Sequence, residues 1–305
     1  MKINIMMAII LIVNFSTFSL AQISIEGPTP SDSAKLRSDY KLAIQLAKRE
    51  KFTSRISFII SESYANLNNI DSSIYYFNRS LALGGEVGNL FDPDFEVIKN
   101  SKKWQSFSEN LLVEHLKKDT SIKCQEWAIE IMKTINVDQD LRFKIMDMGN
   151  LKFPQKYIDS LTVLEKKNDS QNEITFKYLI NKFGYPTISK VGKVISNKFG
   201  TVILHLSMEF QVSIFSDLEL LSLENDFRKS TIALLTDKIL TKTINKQLYG
   251  TQIRSVNNKK EFYPIIEPQN VNERRKKMEV NLTVEEYGTI FGIKSDNQNT
   301  GEKKN

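Results

Sequence analysis

A mostly α-helical chain in two parts, with one small β-hairpin near its C-terminus, is the fold class this sequence predicts. Three observations carry it. Apolar residues recur at spacings of three and four through most of the chain, the period of one buried helix face. The stretches that interrupt the period are Asn68-Asn69, Gly84-Gly85 and Gly184 with Pro186, residues that stop helices. One segment, 247–266, is instead aromatic and β-branched on either side of Asn257-Asn258-Lys259-Lys260, which reads as a hairpin.

The 305 residues suit two domains, and 41% hydrophobic with 26% charged residues is a globular balance rather than a disordered one. The net charge of +6 is spread along the chain, so no nucleic-acid partner is expected. One Cys excludes an intrachain disulfide, and one Cys with two His excludes a zinc finger. No metal and no cofactor is called for. Cys124, beside Trp127 and Ile131, reads as a buried small hydrophobe.

Residues 1–21 read as a signal peptide: Lys2, an apolar run from Ile5 to Val13, then Ser19-Leu20-Ala21 before Gln22. The run is short of the ~20 residues a spanning helix needs, so no stable membrane insertion is expected after cleavage. A secreted or periplasmic location follows.

The first domain is placed at 22–117. Two prolines keep 22–32 a loop, and Ser33 is positioned to cap a helix reaching about Lys51 through Leu36, Tyr40, Ala43, Ile44 and Ala47. A second helix starts near Ser54 with Ile56, Ile59, Ile60, Tyr64 and Leu67. Asp71 is the expected cap of a third, with Ile74, Phe77, Leu81 and Leu83. Ser61, Tyr64, Ser73, Phe77, Ser80 and Leu81 fill a small-and-aromatic pattern in which small side chains let two helices approach and rings fill the groove. In this the pair resembles a tetratricopeptide repeat. Asn89 to Phe95 and Trp104 resemble the segment closing such arrays. Asp92 and Asp94 lack the Gly and terminal Glu of a calcium loop, so an acidic helix start is the plainer reading.

The second domain is placed at 118–294, with 295–305 a frayed, wholly polar tail. Helices are expected over Cys124–Asn136, Tyr157–Lys167, Ile174–Phe183, Ser189–Phe199 (closed by Gly200) and Thr231–Thr243, with a break at Asn168-Asp169-Ser170. Val202 to Ile214 fits both alternation and a helical stripe, and thirteen residues favour helix over strand. In either case His205 and Glu209, four apart, share a face. Short helices follow from Val271 to Met278 and Leu282 to Tyr287.

From Asp138 to Tyr287 the chain is similar to an uncharacterised bacterial domain family. The residues that carry the likeness are Asp138, Gln139 and Arg142; Gly184, Pro186 and Gly192; His205; Leu235 and Asp237; Gln247 with Tyr249-Gly250-Thr251-Gln252; Val271, Arg274 and Arg275; and Tyr287. Lys238 stands where the pattern has Arg and so lacks a bidentate clamp. The resemblance implies a shared architecture and no chemistry.

The candidate site residues are polar groups in this half. His205 carries an imidazole, the side chain suited to a general base, or it is a core histidine bonded to Glu209 or to a backbone carbonyl. Asp237, in an apolar helix, either orients His205, binds a cation, or pairs with Lys238, Arg274 or Arg275. Gly250 within a strand pattern marks a bulge or a close approach, with Gln247, Tyr249, Thr251 and Gln252 around a pocket or on a hairpin edge. Arg274 and Arg275 either hold an anion or form a solvated face with Glu273 and Glu279. No nucleophile elbow, phosphate loop or two-His zinc helix is present. The sequence therefore favours an exported binding or scaffolding protein, contacting a protein or peptide through its helical region. A hydrolase-like enzyme using His205 and Asp237 is the rival, and no motif decides between enzyme and binder.

Overall fold

The computed structural model describes residues 28–257 and 259–293. The expected signal peptide and C-terminal tail lie outside them. Two compact units are present, one ending at Ile195 and one beginning at Ser196. Among the described residues no helix is long and apolar enough to cross a membrane.

In the first unit the segment expected to be one helix is two, α1 (Pro30–Leu36) and α2 (Tyr40–Ala47). Thr29, not Ser33, caps α1 through a capping box with Asp32. The break falls at Ser38, in left-handed backbone at φ 60°, because the Asp39 carboxylate takes the Leu42 N–H and starts a new helix. Next come α3 (Ser54–Asn66) and α4 (Ile70–Ala82), packed as a hairpin. Asn69 caps α4 by accepting from Ser72 N–H, so Asp71 lies inside the first turn instead. Ser61 Oγ donates to the Ser73 carbonyl at 2.8 Å where the two helices meet. Two 3₁₀ turns, Val87–Phe91 and Pro93–Val97, lead to α5 (Lys102–Lys118). Phe95 stacks on Trp104 with ring centroids 4.6 Å apart, and Phe77 meets both edge-on.

Helices α6 (Gln125–Asn150) and α7 (Gln155–Phe183) are far longer than their periodic stretches suggested. The expected break at Asn168-Asp169-Ser170 is absent. Arg142 of α6 is the reason: its guanidinium bonds Asp138 at 2.8 Å, both oxygens of Asp169 at 2.8 and 2.9 Å, and lies 3.4 Å from Glu165. Asp169 thus has a tertiary partner that outweighs its local capping tendency. Cys124 is half-buried at the start of α6 rather than enclosed.

Helix α8 (Ile188–Ile203) contains a non-helical point at Gly192, φ 77°. It runs past Gly200, which was expected to stop it. A Cβ there would sit 2.9 Å from Thr231 Oγ1, so the glycine serves a close approach. The ambiguous 202–214 stretch is the end of α8, a turn at 204–207, and the start of α9 (Met208–Leu223). Gln211 ends α8 by donating to the Ile203 and Leu206 carbonyls at 3.0 and 2.8 Å. His205 therefore sits in the turn and Glu209 in the next helix, and the shared-face argument does not hold.

Helix α10 (Lys229–Thr243) precedes the hairpin, whose strands β1 (Ile253–Val256) and β2 (Lys259–Phe262) pair antiparallel, Ile253 opposite Phe262. Gln247 and Ile265 form an isolated bridge beyond the strands. After a 3₁₀ turn, α11 (Val271–Lys277) and α12 (Val284–Ile290) close the unit. Tyr287, Phe291 and Ile293 pack with Ile253 and Phe262.

Candidate functional site

Helix α10 carries one acid on its buried face. Asp237 is 0% exposed, and every bond it makes goes to the segment that follows the helix. Its carboxylate accepts from Leu248 N–H at 2.6 Å, Tyr249 N–H at 2.9 Å, Thr251 N–H at 2.9 Å and Thr251 Oγ1 at 3.0 Å. Burial raises its pKa, and these donors oppose that rise by favouring the charged form. A loop with φ 63° at Gly250 cannot offer its N–H groups to a regular ladder, and the carboxylate satisfies them.

The loop's carbonyls face the opposite charge. Arg274 Nε donates to the Leu248 carbonyl at 3.0 Å, and its Nη2 to those of Ile266 and Glu267. Arg275 Nη1 donates to the Tyr249 carbonyl at 2.7 Å and its Nε to that of Leu282 at 2.6 Å. Gln247, 0% exposed, joins the loop's ends: its amide donates to the Gln252 and Tyr263 carbonyls and accepts from Gln252 N–H at 2.8 Å. Gln252 Nε2 reaches Thr251 Oγ1, and Tyr287 Oη donates to the Thr251 carbonyl. A Cβ on Gly250 would lie 2.7 Å from Val284 Cγ2, so the close approach is to a neighbouring helix.

One side of this loop borders a cavity of about 60 Å³, lined among others by Thr251, Arg275 and Tyr287. Arg228, Ser230, Leu234, Glu279, Val280 and Leu282 also line it. Arg275 is 2% exposed, and burial pulls its pKa down to about 10. Burial does the same to Arg228, which precedes α10, with Glu279 partly offsetting the fall. Both stay cationic at neutral pH. Ser230 is 5% exposed, and its Oγ has no hydrogen-bond partner among the described residues.

Of the residues singled out from sequence, Asp237, Gln247, Tyr249, Thr251, Gln252, Arg274 and Arg275 come together around this loop. The donors to the Asp237 carboxylate are Leu248, Tyr249 and Thr251, and His205 is not among the residues lining the cavity. Glu209 is exposed in the first turn of α9. Arg228, Ser230 and Leu234 were missed: none belongs to a recognisable spacing, and Arg228 reads as an ordinary surface charge. In the first unit, Glu62, Asp92 and Asp94 bring carboxylate oxygens within 4.8 Å of one another. The Lys35 ammonium pairs with Glu62 and lies 2.7 Å from Asp94, so a built-in cation already serves this cluster.

No curated protein and no solved structure matches the chain. Residues 125–294, more than half of the sequence, match a family described as a family of unknown function, DUF6624, and the chain belongs to that family.

Proposed function

We propose that this is an extracytoplasmic binding protein rather than an enzyme, with a ligand cavity in its C-terminal unit. The observation that carries the reading is the saturation of Asp237. A carboxylate already accepting from three backbone N–H groups and a hydroxyl has no free geometry for orienting a base. It holds a loop, and the loop walls a cavity. The rival hydrolase reading needs Asp237 to orient His205, and the Asp237 oxygens are already taken by Leu248, Tyr249 and Thr251. For the first unit we propose contact with a protein or peptide. Support comes from Phe52 and Tyr75, both exposed, with the Arg79 guanidinium 4.5 Å over the Phe52 ring.

Native mass spectrometry of the purified full chain tests the ligand reading. We expect a bound mass that is lost in Leu234→Trp, whose indole fills the cavity. A bare chain in both proteins, or hydrolysis of short p-nitrophenyl esters that disappears in His205→Ala, overturns it. For the location, the expected mature N-terminus is Gln22.

A further inference from the structure

We propose that the cavity binds the carboxylate of a small organic acid, held between the Arg228 guanidinium and Nη2 of Arg275 and completed by the Ser230 hydroxyl. The inference rests on the ligand reading above and names its chemical class. Four observations point the same way. Arg228 makes no side-chain hydrogen bond and no ion pair with any described residue, although it is half-buried and lines the cavity. Arg275 uses Nε and Nη1 on loop carbonyls, while its Nη2 donates to no oxygen among the described residues. Ser230 leaves a buried hydroxyl unsatisfied, a deficit of the kind a bound oxygen repairs. Finally, the cavity lies at the N-terminal end of the 15-residue helix α10, where unpaired N–H groups favour an anion.

The walls choose among anions. Leu234, Val280 and Leu282 are apolar, which suits a hydrocarbon continuation and not a fully hydrated dianion. Glu279 adds a negative charge at the cavity, though Lys229 lies 3.5 Å from it. A phosphate with two charges would meet that carboxylate at greater cost than a monoanion. About 60 Å³ is roughly four to six water-sized positions, enough for a carboxylate and a few carbons. A guanidinium edge matches the two oxygens of a planar carboxylate.

Ligand-observed NMR titrations on the full chain, with hexanoate, hexan-1-ol and inorganic phosphate as probes, test this. We expect hexanoate to bind at least about tenfold more tightly than hexan-1-ol, the scale of a charged hydrogen bond. Arg228→Gln should weaken hexanoate by about tenfold or more and leave hexan-1-ol and the melting midpoint unchanged. Ser230→Ala should weaken hexanoate by a smaller factor. Equal binding of hexanoate and hexan-1-ol, or no effect of Arg228→Gln, overturns the anion assignment while the ligand cavity stands. Phosphate binding as tightly as hexanoate overturns the carboxylate class. Binding of none of the three removes the ligand reading together with this one.

Discussion

Asp237 and Gly250 show how much one position can determine. Replacing Asp237 by Asn keeps the size but turns one acceptor into a donor aimed at N–H groups. We expect Asp237→Asn to cost about 2–4 kcal/mol, the scale of leaving buried donors unsatisfied. Urea denaturation followed by circular dichroism measures it, and a loss below 1 kcal/mol would show that the loop holds itself. Gly250→Ala meets two obstacles, a left-handed φ of 63° and a contact at 2.7 Å with Val284. It should cost about 1–3 kcal/mol. Val284→Ala in the same chain should recover the contact part alone, so full rescue would rule out backbone strain.

Between elements, charge decides what periodicity could not. Arg142 fastens α6 to α7 through Glu165 and Asp169, with Asp138 of its own helix beside it, and Arg142→Met removes the cation these three acids share. We expect a loss of about 3–5 kcal/mol at pH 7 that shrinks on acidification, as the abandoned carboxylates take up protons. A deficit equal at pH 5 and pH 8 contradicts this. A second case lies among the 3₁₀ turns. Burial raises the Asp92 pKa to about 6 from 3.8, with Lys35 opposing the rise and Asp140 and Asp94 adding to it; Glu62 and Lys144 belong to the same group of charges. The folded state then holds more protons than the unfolded between pH 4 and 6, so this group's contribution to stability declines as pH climbs through that window. Asp92→Asn should therefore gain on the wild type by on the order of 1–3 kcal/mol from pH 4 to pH 7. Melting curves across that range check the sign. The same contrast explains what could be read in advance. Helices α3 and α4 were legible because their stripes and stop signals agree. The Asn168-Asp169-Ser170 signal misled because Arg142, 27 residues away in sequence from Asp169, takes over the side chain that marked a break. At the site, Asp237, Gln247 and the Tyr249-Gly250-Thr251-Gln252 run were legible as parts of one family pattern. The rest of the cavity lining was not, since Arg228 and Ser230 acquire meaning only from what surrounds them.

For the whole molecule, division into two compact units makes a thermodynamic claim that the two tryptophans can examine. Trp104 and Trp127 both belong to the first unit, so their fluorescence reports on it alone. We expect Asp237→Asn to shift the second unit's transition, seen by circular dichroism, and to leave the fluorescence midpoint in place. A joint shift of both would mean that the units unfold as one. The loop from Leu248 to Thr251, drawn by an acid on its amide side and by two guanidinium groups on its carbonyl side, works as a keystone. The chain's most recognisable letters are thereby committed to masonry. Meeting them in another sequence would announce the shape of this loop, while under the proposed reading the choice of ligand would fall to the rest of the cavity lining, in the places of Arg228, Ser230 and Glu279.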